Sequence, residues 1–147
     1  MNGSMQDFSR RTTAGAEAGV SQRSLRASIG CVGPGRQRKV ALTLRPACPD
    51  HGIIFRRCDL GIDIPVDHVH SDDTGHATVL TRLGASIVGV EHVLAALGSR
   101  GITNALVEVD GPEVPMLGGA TMDFIFLIDC AGLIEQGPAA TMCCGAQ

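Results

Sequence analysis

Glu91 and His92 are the residues of this chain best suited, by type and place, to move a proton or hold a metal. They stand at the head of Val90-Glu91-His92-Val93-Leu94-Ala95-Ala96-Leu97. Neighbours on a helix point about 100° apart, so one could line a cleft as a proton carrier while the other ligates a cation. A plainer reading has Glu91 favouring the positive end of the helix and His92 as an ordinary satisfied polar residue. Spacing alone leaves both open.

Other chemistry-bearing stretches carry similar alternatives. Residues 61–76, GIDIPVDHVHSDDTGH, crowd His68, His70, Asp72, Asp73 and His76 together. An HxH pair with a third His six residues on could clasp zinc, or the segment is a polar loop whose Asp and Ser bond their own backbone. Arg56 and Arg57, adjacent at a strand end, suit either an anion contact or plain solvated charge. Gly30-Cys31-Val32-Gly33-Pro34-Gly35-Arg36 has a GxxGxG spacing with no Lys-Ser/Thr after it, so it does not cradle phosphate and reads as a hairpin connection.

The elements that must position these residues follow from periodicity. Val90, Val93, Leu94 and Leu97 recur at i, i+3, i+4 and i+7, a buried helix face, and Gly98 and Gly101 bracket its end. Gln22–Ser28 opens a first strand. Lys39–Arg45 alternates, with Val40, Leu42 and Leu44 on one face, and Pro46 stops it. After a turn over Cys48–Gly52, Ile53–Arg57 returns as a second strand. Ala77–Leu80 and Ser86–Val88 form a pair turning through Arg82-Leu83-Gly84. Asn104–Asp110 is the clearest strand, ended by Gly111-Pro112, and 113–119 is a loop. Phe124, Leu127, Ile128 and Ala131 mark a second helix, and Leu133–Glu135 begins one more strand. The burial scheme that uses all of these is α+β: a two-layer sandwich, mostly antiparallel sheet, with two helices on one face.

At 147 residues the chain suits one domain, organised as a disordered leader (1–21), a folded domain (22–136) and a flexible tail (137–147). With no Trp or Tyr and four Phe, its core must be aliphatic. A net charge of −3 without a basic block argues against nucleic acid. No apolar run approaches the roughly 20 residues of a transmembrane segment. Six cysteines without a CxxC pair or a signal peptide read as reduced thiols of a cytoplasmic protein.

Five stretches, in this order and spacing, carry a family resemblance. Leu42-Thr43-Leu44-Arg45-Pro46-Ala47 and Ile54-Phe55-Arg56-Arg57 come first. The Val90–Leu97 helix and Gly101–Pro115, with its NALVEVDGPEVP run, follow, and Phe124–Ile128 leads to Ala131-Gly132. Over residues 22–136 the chain resembles the N-terminal half of UDP-3-O-acyl-N-acetylglucosamine deacetylase, a zinc enzyme of lipid A synthesis. The resemblance implies two similar α+β domains with the active site between them. His92 aligns with the first-domain zinc ligand, and Glu91 with the carboxylate that takes a proton from the attacking water. The substrate implied is an acylated UDP-sugar.

Departures accompany the match. The family's Leu-His-Ser-Gly hairpin run is Pro34-Gly35-Arg36-Gln37 here, so its His is gone. Asp73-Thr74 fits, but Gly75 follows where Arg or Met is common. The Met-Asp-Gly-Ser loop is Leu117-Gly118-Gly119-Ala120. The second-domain His-Lys-x-x-Asp-x-x-Gly-Asp run does not occur, and one His cannot hold catalytic zinc, which takes about three protein ligands. The isolated chain is therefore expected to be inactive, as a truncated form needing a C-terminal-half partner, and prone to self-association. The alternative is an inactive sugar-nucleotide-binding paralogue or relic.

Overall fold

The computed structural model describes residues 21–71, 78–118 and 121–137. Residues 1–20 of the expected leader and 138–147 of the expected tail, Asp72, Asp73 and His76 of the histidine-rich stretch, and Gly119 and Ala120 lie outside them. The strands are β1 (Arg23–Leu25), β2 (Ile29–Pro34), β3 (Lys39–Pro46), β4 (Ile53–Arg57), β5 (Ile62–Pro65), β6 (Val69–Ser71), β7 (Thr78–Arg82), β8 (Ala85–Val88), β9 (Ala105–Val109) and β10 (Leu133–Glu135). The helices are α1 (Glu91–Ser99) and α2 (Thr121–Ala131), and a short 3-10 turn covers Val66–His68. The fold is α+β with mostly antiparallel sheets, as the periodicity indicates.

The main sheet runs β2-β3-β9-β4-β5. Only β4 and β9 are parallel. The second strand expected at Ile53–Arg57 is β4. β9, whose Ala105, Val107 and Val109 are all buried, lies between β3 and β4. Alternation shows which side chains face the core but not which strand lies alongside. Val107 pairs with Leu44 on one side and Phe55 on the other, so these residues share the inner face. Val93, Ala96 and Leu97 of α1, with Phe124, Ile125 and Ile128 of α2, complete one aliphatic core with it.

The outer face is a charge ladder. Arg45 Nε lies 2.7 Å from Glu108, Arg56 Nε 2.6 Å from Asp63, and Arg56 Nη1 3.5 Å from Glu108. Arg57 points inward and is buried; it grips Asp59 through Nε (2.9 Å) and Nη2 (2.7 Å), and Nη1 donates to the Ser86 carbonyl at 2.8 Å. Both sequence readings of Arg56 and Arg57, anion contact or solvated charge, give way to these internal partners. The Arg56 and Arg57 guanidiniums hold the Asp63 and Asp59 carboxyls, respectively, below their ordinary range.

β9 is entered through a polar knot. The buried Asn104 accepts from Gly52 N (2.8 Å) and donates to Gln22 Oε1 (2.8 Å) and Gln136 Oε1 (2.9 Å). The buried Ser24 donates to the Asn104 carbonyl at 2.7 Å and accepts from Ala47 N at 3.0 Å. Paired β1 and β10 are fixed to the start of the sheet in this way. Cys31, Cys58 and Cys130 are free thiols, and Cys143 and Cys144 lie outside the described residues. No helix among the described residues is long and apolar enough to cross a membrane.

Candidate active site

α1 starts where three segments meet. Gly89, at φ +81°, takes the left-handed turn that leads from β8 into the helix. Its N–H and that of Val90 both point to the Thr78 carbonyl, at 2.8 and 3.4 Å. Val88 N donates to the Pro112 carbonyl (2.8 Å) and Val114 N to the Val88 carbonyl (3.1 Å). The end of β8, two residues before the Val90–Leu97 motif, and the end of the NALVEVDGPEVP run are therefore hydrogen-bonded neighbours in space.

Glu91 occupies the first turn of α1 and is exposed, its carboxylate accepting the Thr78 N–H at 3.4 Å. This position lies at the positive end of the helix, which favours the anion. His92, half-buried, sets Nδ1 3.0 Å from Thr121 Oγ1, on the first residue of α2. At the far end, Arg100, just past α1, holds Asp129 of α2 through Nε (2.7 Å) and Nη2 (2.8 Å). Contacts head to head and tail to tail mean that the two helices run parallel, with both N-termini beside the Glu91-His92 pair. Thr121 was not visible as a site residue in the sequence, because its link to His92 spans 29 positions and belongs to no local motif.

The hairpin between β2 and β3 backs this region. Arg36 N donates to Glu113 Oε2 at 2.6 Å, and Met116 N to the Pro34 carbonyl at 3.0 Å. The glycine-rich stretch is the β2 strand itself up to Pro34, with the turn confined to 35–38. Gly35 sits in a crowded turn: an added Cβ would lie 2.6 Å from Val40 Cγ2, 2.7 Å from the Arg38 carbonyl and 2.9 Å from Glu113 Oε2, so a side chain there forces its neighbours to shift.

The remaining candidates lie elsewhere. His68 Nδ1 is 3.2 Å from the Thr81 carbonyl, and His70 Nε2 is 2.9 Å from Thr81 Oγ1. Cys58 is a poor nucleophile: desolvation, and then the Glu108 carboxylate, push its thiol pKa up. Among the described residues no three His, Cys, Asp or Glu side chains group closely enough to hold a metal ion.

Such a structure is an α+β domain presenting a carboxylate and an imidazole at the paired heads of two helices. Residues 22–144 match the family model of UDP-3-O-acyl N-acetylglycosamine deacetylase, and the chain belongs to that family. It is also similar to the UDP-3-O-acyl-N-acetylglucosamine deacetylase of Saccharophagus degradans, with 42% identity over 124 residues, 82% of this chain. The aligned region is 41% of that relative's length.

Proposed function

We propose that this chain supplies Glu91 and His92 to the active site of a cytoplasmic, zinc-dependent deacetylase that removes the 2-acetyl group of an acylated UDP-sugar in lipid A synthesis. The observation that carries the reading is the placement of an exposed Glu91 beside a His92 tethered only through Nδ1 among its described bonds, within a chain of this family. Nε2 of His92 is then the atom suited to a metal. One imidazole fits the donor chemistry of zinc but does not fill it, so the other ligands belong to a C-terminal half. When bound, zinc acts as a Lewis acid on an amide carbonyl and acidifies water.

This chain's own part is proton transfer and positioning. Glu91 accepts the proton of the water that attacks the acetamide carbon. The C–N bond then breaks, the amine leaves with a proton, and the products are acetate and a free 2-amino sugar nucleotide. Met116, Met122 and Phe126 are exposed apolar residues that a C-terminal half could cover.

The test is deacetylation of UDP-3-O-acyl-N-acetylglucosamine by the full chain alone, and by the chain fused to the remaining part of the Saccharophagus degradans relative. The chain alone is expected to show no turnover. The fusion is expected to turn over, and Glu91→Gln to slow it by about a hundredfold to ten-thousandfold. Robust turnover by the chain alone, or a Glu91→Gln fusion as fast as its parent, would overturn the proposal.

A further inference from the structure

We infer that Thr121 is the positioning residue of His92: its hydroxyl accepts the Nδ1 proton and so fixes the imidazole with Nε2 unprotonated and facing outward as a donor atom. The geometry is a 3.0 Å contact between Nδ1 and Thr121 Oγ1. A hydroxyl can give or take in such a bond, and a neutral imidazole carries one proton. If Thr121 donated, Nδ1 would be occupied as acceptor and Nε2 would carry the hydrogen, leaving no lone pair for a metal. If Nδ1–H donates, Nε2 is free. The inference thus rests on the ligand reading of His92, and it selects one tautomer.

Thr121 is held where its hydroxyl oxygen can be that acceptor. It is the first residue of α2, and α2 is anchored by the buried Phe124, Ile125, Ile128 and Ala131 and by the Arg100–Asp129 clamp. Its β-branched side chain has few χ1 wells, so the hydroxyl is held rather than searching. Metal-bound histidines as a class donate their second ring N–H to a fixed acceptor, and losing that acceptor costs about tenfold to a hundredfold in metal affinity.

The test reads the tautomer directly, by nitrogen-15 NMR of the His92 ring in the full chain at about pH 8, where an ordinary imidazole is neutral. The parent chain is expected to show a protonated Nδ1 and a bare Nε2. Thr121→Val should move the ring toward the Nε2–H form, and Thr121→Ser should restore the parent pattern. A parent chain already in the Nε2–H form, or a Val variant with an unchanged ring, would overturn the inference, and loss of folding alone would not mimic either signature. Zinc affinity of the fused protein separates this from the ligand reading. A fusion whose His92→Ala variant keeps full zinc affinity defeats the ligand reading whatever the tautomer. Zinc affinity lost in His92→Ala but unchanged in Thr121→Val leaves that reading standing and defeats the role of Thr121.

Discussion

The crowding at Gly35 sets a quantitative expectation for the ground next to Glu91 and His92. Val40 is buried and the Arg38 contact is backbone, so neither can step aside cheaply for a Cβ placed 2.6–2.7 Å away. Gly35→Ala should therefore cost about 2 kcal/mol, the usual scale of overpacking, read as a lower urea midpoint. An unchanged midpoint would mean that the hairpin yields to a side chain at this position. At this scale the sequence exposes Glu91 and His92 because both sit on a strongly periodic helix. Thr121 and Glu113 stay hidden, since each acts on a partner that only the tertiary fold brings near: Thr121 on His92, and Glu113 on the Arg36 N–H, 77 positions apart.

Within elements, the β7–β8 hairpin carries one residue at odds with its turn. Leu83 and Gly84 both have positive φ, +53° and +81°, the pattern of a type I′ turn, which favours Asn-Gly. Leu83 is 72% exposed, so its side chain gains little from packing while its backbone is strained. Leu83→Asn should stabilise the protein by about 1 kcal/mol, since a left-handed leucine costs on the order of 1–2. A thermal midpoint that falls instead would show that Leu83 packs usefully after all. The hairpin itself was readable, as were β3, β9 and both helices, because in each the apolar period is unbroken. β2 was not: two glycines and a proline argue for a turn. Edge position excuses Pro34, and Gly33 is needed where Pro115 Cβ and Leu117 Cδ2 would lie 3.1 and 3.0 Å from any Cβ. The insertion of β9 between β3 and β4 was hidden for a different reason, namely that each of these strands fits the inner face equally well whichever neighbour it has.

Across the whole molecule, Arg57 joins parts that the strand ladders leave separate, reaching from β4 to the Ser86 carbonyl on β8 in the three-stranded β6-β7-β8 sheet, while Arg56 reinforces the pairing of β4 with β5 and β9. Their carboxylate partners make this linkage sensitive to acid. Hydrogen bonds from Arg57 and Arg56 hold Asp59 and Asp63 below the carboxylate range in the folded protein. The unfolded chain, titrating near the ordinary value of about 3.9, then binds more protons than the folded one in the window just beneath it. Stability from these pairs is complete above that value, declines as the pH drops through the lowered folded pKa values, and is absent below them. Partial exposure of both carboxylates screens the effect and keeps it modest. Urea midpoints taken from pH 7 down to pH 2 should therefore fall on the acid side for the parent. In an Asp59→Asn, Asp63→Asn double variant the curve should start lower at pH 7 and fall less steeply below pH 4. Parallel acid limbs in the two proteins would show that the guanidinium–carboxylate pairs add no stability at the β4–β5 end of the sheet, and that the aliphatic core alone sets the acid response.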